Sequence, residues 1–127
     1  PHQISGGQRQ RAAIVRAFGL RPDVLLLDEP FSALDEFTRE SLQGQLLDLW
    51  AETGSTVLFV THSISEAVRM SDRVIVMAPG PGRIVDSIDI DLPRPRSAEI
   101  LTSAEFHAYE LQIRERLRFA FEGGAER

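Results

Sequence analysis

Two adjacent acidic residues follow a short apolar run in the first third of the chain. Asp28 and Glu29 come directly after Val24–Leu27. Because successive residues of a strand point to opposite faces, two neighbouring acids at its end can perform different tasks. Asp28 is suited to holding Mg²⁺ through water, and Glu29 to orienting and polarising an attacking water molecule. A solvated acidic strand end is the alternative that the local sequence leaves open.

A glycine pair near the first residue is a second candidate site. Ser5 and Gln8 have the spacing of a capping box, which predicts a helix that begins there. Gly6 and Gly7 in its first turn would each cost roughly 1 kcal/mol relative to alanine. Glycine lets another group approach the backbone closely, and helix N-termini bind anions, so phosphate is the expected ligand. A plain helix cap with incidental glycines would also account for the pattern.

Two further polar residues stand at the boundaries of predicted elements. Asp35 closes the segment Ser32–Asp35 directly before a predicted helix, where an N-cap role is locally sufficient. His62 follows the predicted strand Thr56–Val60. Because ligands of open parallel sheets bind outside the carboxyl ends of strands, the two strands would bring the acid pair and His62 to one edge.

The predicted elements alternate between strand and helix, which indicates an α/β fold. The first strand is expected to be buried on both faces, as in a parallel sheet. Residues 84–92 alternate in polarity and predict a half-exposed strand antiparallel to the one before it. Strands are predicted over Val24–Asp28, Thr56–Val60 and Arg73–Ala78, and helices over 5–20, 36–52 and 63–70. Gly54 is expected to end the second of these helices, and Ser63 to open the third.

The final segment is predicted to be an extended linker, Pro93–Arg96, followed by a helix. A capping box of Thr102 and Glu105 would open this helix, and Gly123–Gly124 would end it. One stripe is apolar and is expected to pack on its own domain, whereas the basic stretch is most simply a solvated face. The stripe consists of Phe106, Tyr109, Ile113 and Leu117, and the charged face of Arg114, Glu115, Arg116 and Arg118.

Composition excludes several classes of protein. Hydrophobic residues make up 43% and charged residues 26% of the 127 residues, as in globular proteins. A net charge of −5 argues against a broad basic surface, so no nucleic-acid partner is expected. The absence of cysteine excludes disulfides and zinc–thiolate sites. No apolar run approaches the ~18 residues that suggest a membrane-spanning helix.

The order and spacing of the motifs resemble the ATP-binding subunits of ABC transporters. The matching segments are Ser5–Gln8 to the signature motif, Val24–Glu29 to Walker B with its catalytic glutamate, Ser32–Asp35 to the D-loop, and His62 to the switch histidine. Ile4 stands where the family usually has leucine. The resemblance covers roughly residues 1–92 and leaves 93–127 as linker and C-terminal helix. It implies the C-terminal part of a P-loop NTPase domain, with a mainly parallel sheet flanked by helices and a C-terminal hairpin and helix.

The resemblance also implies that two such subunits face each other head to tail. The signature motif, Ser5 to Gln8, would then cap an ATP molecule held by the other subunit. Ser5 and the N–H groups of Gly6 and Gly7 would contact its γ-phosphate, and Asp35 would relay between the two nucleotide sites.

The other implied roles belong to the strand ends. Glu29 would activate water, Asp28 would serve Mg²⁺, and His62 would contact the γ-phosphate. ATP and Mg²⁺ are therefore the implied cofactors of an ATPase.

The phosphate-cradling loop of the family has no counterpart in these residues. No segment matches G-x-x-x-x-G-K-[ST], whose backbone, lysine and hydroxyl hold phosphates and Mg²⁺. We therefore expect the Walker A loop and the glutamine loop upstream of Pro1. On this view the chain is a C-terminal piece, inactive alone, with an exposed apolar sheet face and low stability.

Two later segments indicate a branch of the family. Val76–Ile84 and Asp91–Arg96 resemble the nitrate, sulfonate and taurine importers of bacteria, although a proline-punctuated hairpin and linker explains the composition equally well. The branch implies a transmembrane permease, an indirect periplasmic solute-binding protein, and a position on the cytoplasmic face of the inner membrane. The alternatives are a catalytically silent module that supplies only a signature helix, and an ABC-type ATPase of DNA repair or translation.

Overall fold

The computed structural model describes residues 6–125. The chain divides into two compact units, one that extends to His62 and one that starts at Ser63. Among the described residues, no helix is both long enough and apolar enough to cross a membrane.

The first unit contains two helices and a pair of parallel strands. Its elements are α1 (Gly6–Gly19), β1 (Val24–Asp28), α2 (Glu36–Thr53) and β2 (Thr56–Val60). The strands pair in register from Val24 opposite Thr56 to Asp28 opposite Val60. Parallel strands need a crossover connection, which α2 supplies. The predicted strand bounds are confirmed, and Gly54 ends α2 in the left-handed conformation, with φ of 68°.

The prediction that β1 is buried on both faces is wrong for the described chain. Leu26 is 65% exposed, and Leu58, its partner on β2, is 58% exposed. Val24 and Val60 lie on the same face and are also exposed. The apolar run forms a parallel strand as predicted, but a two-stranded sheet with α2 as its crossover leaves one face open. The predicted exposed apolar sheet face is therefore present.

The second unit combines one helix, an antiparallel hairpin and a long C-terminal helix. Its elements are α3 (Ile64–Met70), β3 (Arg73–Ala78), β4 (Arg83–Asp89), a 3₁₀ helix (Ala98–Thr102) and α4 (Ala104–Ala125). Buried residues of β3, β4 and α4 form one core, to which Val74, Ile88, Phe106 and Ile113 contribute. Residues on both sides of position 92 thus share this core. The predicted boundary at 92/93 stays a prediction.

The antiparallel pairing of β3 and β4 confirms the predicted hairpin, but the alternation of β4 is interrupted. Val76 pairs with Asp86 while Met77 pairs with Ile84, so Val85 is an extra residue in β4. A bulge of this kind shifts the faces to which neighbouring side chains point. Ile84, expected on the apolar face, is consequently 66% exposed.

The apolar stripe of α4 packs as predicted, whereas the predicted ends of the helix are wrong. Phe106 and Ile113 are buried in the core. The N-terminal cap is Ser103 and not Thr102, because the Ser103 hydroxyl accepts the hydrogen bond of Phe106 N at 3.2 Å. Thr102 instead donates to the Glu99 carbonyl. The helix continues to Ala125, since glycine permits a stop without enforcing one.

The predicted solvated face of α4 is correct except at one arginine. Arg116 Nε lies 3.0 Å from Asp86 Oδ2 on β4. The guanidinium also lies over the Phe119 ring, 5.1 Å from its centroid. Arg116 therefore ties α4 to the hairpin.

The segment Pro93–Arg96 is more than an extended linker. Arg96 is only 3% exposed. Its guanidinium donates to five backbone carbonyl groups, and burial lowers its pKa to about 10. The acceptors are the carbonyls of Val68, Arg69, Ser71, Ile90 and Leu92.

These contacts complete the C-terminal end of α3. The last four carbonyl groups of a helix lack partners within the helix. In α3, Ala67 O accepts from Ser71 N, and the next two carbonyls accept from Arg96. Met70 O accepts from Arg94, which also pairs with Asp72 at 2.9 Å. Cations at a helix C-terminus are favoured by the helix dipole.

Candidate functional site

Glu29 follows β1 in an unusual backbone conformation. Its φ is 46°, in the left-handed region that is costly for a residue with a side chain. Its N–H donates to Val60 O at 2.7 Å, which extends the β1–β2 pairing by one residue. Strained residues persist only where the surrounding structure holds them, and they cluster at functional sites.

His62 lies next to Glu29, as expected if the carboxyl ends of the two parallel strands lie at one edge of the sheet. His62 Nε2 is 3.1 Å from Glu29 Oε1. The His62 side chain is 90% exposed and that of Glu29 36% exposed. At this distance the imidazole and the carboxylate are in direct polar contact, and the partial exposure of Glu29 leaves its carboxylate accessible to water. The structure therefore brings this predicted acid and this predicted histidine together.

Asp28 is the last residue of β1 and is exposed. The part of the chain that the structure describes contains no group of three or more His, Cys, Asp or Glu residues arranged to hold a metal ion. A single carboxylate nevertheless suits Mg²⁺, which keeps several waters and takes other ligands from substrate phosphates. The carboxylate of Asp28 therefore fits a magnesium ion that takes its other ligands from water and phosphate.

The segment Ser32–Asp35 is held by consecutive turns. Ser32 N donates to Glu29 O at 3.3 Å, and Leu34 N donates to Phe31 O at 3.2 Å. Arg39 of α2 donates to Leu34 O at 2.7 Å. The predicted D-loop is therefore linked to Glu29 at one end and to α2 at the other.

Asp35 is the N-cap of α2, as its local sequence predicts. One carboxylate oxygen accepts from Thr38 N and the other from the Thr38 hydroxyl, both at 2.9 Å. These hydrogen bonds lower the pKa of Asp35 below its ordinary value. The carboxylate is exposed, so the cap does not prevent a contact with another molecule.

The glycine motif opens α1. Gly6 is the first residue of the helix and is exposed, whereas Gly7 is buried and Gln8 is exposed. Ser5, with its predicted cap, lies outside the described residues. A Cβ built on Gly6 would lie 3.4 Å from Leu34 Cδ2, so the start of α1 packs beside the D-loop segment. The exposed N–H end of a 14-residue helix fits a phosphate.

Two features of the site were missed by sequence reasoning. The left-handed conformation of Glu29 has no local signal, because glutamate is not a residue that favours it. Phe31 is completely buried within a connecting segment and its ring packs on Phe59, with centroids 6.0 Å apart. An aromatic residue between two polar motifs was the available signal for a buried anchor.

Comparison with known proteins identifies a matching family and several similar proteins. The profile of the ABC transporter family matches residues 1–32. A putative ATP-binding protein of Brucella melitensis is 52% identical over 113 residues, which is 89% of this chain and 48% of the relative. The aliphatic sulfonates import ATP-binding protein SsuB of Bacillus cereus is 48% identical over 124 residues, covering 98% of this chain and 47% of SsuB. The taurine import ATP-binding protein TauB of Escherichia coli is 52% identical over 92 residues, or 72% and 36% of the two chains. The chain spans about half the length or less of these relatives.

Proposed function

This chain belongs to the ABC transporter ATP-binding proteins, and from that membership we propose that the subunit to which it contributes hydrolyses ATP to drive solute uptake. The observation that carries the proposal is the 3.1 Å contact between Glu29 Oε1 and His62 Nε2 at the carboxyl ends of two parallel strands. Catalytic groups of α/β sheets are expected at this edge.

Glu29 is proposed as the group that orients and polarises the attacking water. Its carboxylate is partly exposed, and one oxygen is turned towards His62. His62 is proposed to hold that carboxylate in place and, with its side chain 90% exposed, to contact the γ-phosphate. Asp28 would hold Mg²⁺ through water. Bound ATP and Mg²⁺ would supply the phosphoryl group and the neutralisation of its charge.

The second proposed surface is the start of α1. Ser5 and the N–H groups of Gly6 and Gly7, with Gln8 in the same turn, would cap the nucleotide of a second ATP-binding subunit in a head-to-tail dimer. Support comes from the exposure of Gly6 at a helix N-terminus. Asp35 lies in the segment that packs beside Gly6, which supports a relay between the two nucleotide sites.

The solute is proposed to be of the sulfonate, taurine or nitrate type. Two relatives of about 50% identity are named for the import of aliphatic sulfonates and taurine. Import requires a membrane permease, so we place the subunit on the cytoplasmic face of the membrane, with a periplasmic solute-binding protein as an indirect partner.

The experiment uses a full-length subunit that contains these residues together with a Walker A loop. Glu29→Gln should abolish ATP turnover while ATP-bound dimers persist, because the substitution removes the proton acceptor and keeps the shape. Glu52→Gln is the matched control, since Glu52 is exposed at the far end of α2. Turnover of Glu29→Gln near the parental rate would refute the role of Glu29. If the parental subunit dimerises with ATP but has no turnover, a catalytically silent module would be the correct reading.

A further inference from the structure

Phe31 occupies a position at which a large apolar side chain is unexpected. It lies two residues after Glu29 and one before the segment Ser32–Asp35. Connecting segments run over the surface, and their residues are usually exposed. Phe31 is nevertheless 0% exposed, which places it among the four most completely buried large side chains of the described residues.

The buried ring connects this segment to β2. The Phe31 and Phe59 rings have centroids 6.0 Å apart and planes tilted by 40°, within the range of favourable aromatic pairs. Phe59 pairs with Leu27 in the sheet and precedes His62 by three residues. Phe31 therefore packs on the strand that delivers His62.

Glu29 is consequently tied to β2 on both sides. On its N-terminal side, its own N–H donates to Val60 O at 2.7 Å. On its C-terminal side, the Phe31 ring is fixed on Phe59. The left-handed backbone of Glu29, with φ of 46°, needs such constraints, because a residue with a side chain relaxes from this region when it is free to do so.

We propose that Phe31 is a positioning residue for hydrolysis, because its buried ring holds the Glu29 backbone in the left-handed conformation and thereby sets the carboxylate against His62. This inference rests on the proposed function of Glu29. Because Phe31 is 0% exposed, it acts through Glu29 and not by direct contact with water or nucleotide. A displaced catalytic group lowers the rate of the chemical step, and a misplacement of about 1 Å can cost on the order of a hundredfold.

The test compares Phe31→Leu with Phe18→Leu in the full-length subunit. Phe18 is also almost completely buried, at 1% exposure, but it lies on α1, before the amino end of β1. Both substitutions remove a buried ring and should lower stability similarly. Phe31→Leu should lower kcat at least about tenfold with an unchanged KM for ATP, since only positioning is lost. Phe18→Leu should keep kcat within about twofold of the parental value, because Phe18 lies near the end of α1 opposite to Gly6 and precedes the amino end of β1.

Phe59→Leu removes the other ring of the same contact. Because Phe59 is only half-buried, this variant should fold even if Phe31→Leu does not. It should lower kcat in the same way, and the double variant should lose no more than Phe31→Leu alone, because both act through one contact. Additive losses, equal losses in Phe31→Leu and Phe18→Leu, or a parental kcat in Phe31→Leu would each overturn the inference. Failure of the proposed function is seen separately, as retained turnover in Glu29→Gln.

Discussion

Replacing Arg96 with methionine tests whether the Pro93–Arg96 segment stabilises the second unit through the end of α3. Methionine has a similar length and no donors. The substitution therefore leaves five backbone carbonyls without the guanidinium that now donates to them. Three of these lie at or just after the end of α3, including Ser71 O at 2.6 Å.

The expected loss in the free energy of unfolding follows from these three carbonyls. At about 1 kcal/mol for each buried acceptor that loses its donor, the free energy of unfolding should fall by ~3 kcal/mol. The carbonyls of Ile90 and Leu92 lose the same donor, but the substitution also removes the buried charge of Arg96, and this gain offsets part of that further loss. Because domains have about 5–15 kcal/mol of stability in total, the effect should be large. Urea unfolding followed by far-ultraviolet circular dichroism measures it.

Arg94→Met is the matched control for this experiment. Arg94 carries the same functional group two residues earlier, donates to one helix-end carbonyl and pairs with Asp72, which is 71% exposed. Pairs that involve exposed partners contribute about 1 kcal/mol or less. An Arg96→Met loss below about 1 kcal/mol, or one equal to that of Arg94→Met, would show that the end of α3 does not depend on Arg96.

Three further predictions concern the first unit. Gly6→Ala should stabilise α1 by up to about 1 kcal/mol, since the added Cβ would lie at an ordinary contact distance of 3.4 Å from Leu34 Cδ2. It should nevertheless weaken ATP-dependent dimerisation, measured by gel filtration. Unaffected dimerisation would contradict the close approach of a phosphate to this glycine. Asp35→Asn should keep the α2 cap, because the asparagine side chain can still accept from the backbone. It should remove the loss of stability that the lowered pKa of Asp35 produces as the pH falls below 3.8. It should also reduce cooperativity between the two ATP sites, and parental cooperativity would mean that Asp35 acts as a cap only. Leu26→Thr with Leu58→Thr should reduce aggregation of the 127-residue chain, seen by light scattering, because both side chains are more than half exposed, and unchanged scattering would mean that this sheet face does not drive association.

The elements that could be predicted are those whose signals are local. The strand Val24–Asp28 is an uninterrupted apolar run ended by acid, and Gly54 supplies the left-handed residue that ends α2. The cap at Asp35 needs only a carboxylate and the N–H three residues later. Such interactions lie within one or two turns of chain, so the sequence pattern contains all of their parts.

The features that could not be predicted depend on distant partners. Arg96 and the carbonyls of α3 are separated by more than 20 residues, and no periodicity links them. The bulge at Val85 arises from the pairing of β4 with β3, and it moves Ile84 to the opposite face. The open face of β1 also depends on distant parts of the chain, because the burial of a strand is set by the elements that pack on it and not by its own residues alone.

Glu29 combines both kinds of information. Its place at the end of a strand follows from the sequence, and so does its meeting with His62, since parallel strands bring their carboxyl ends to one edge. Its left-handed backbone does not follow, because the conformation is imposed by Val60 O and, as we propose, by Phe31. The orientation of the carboxylate towards His62 is therefore a tertiary property of β1 and β2 together. Variants of Phe31 and Phe59 should alter catalysis although neither side chain carries a reactive group.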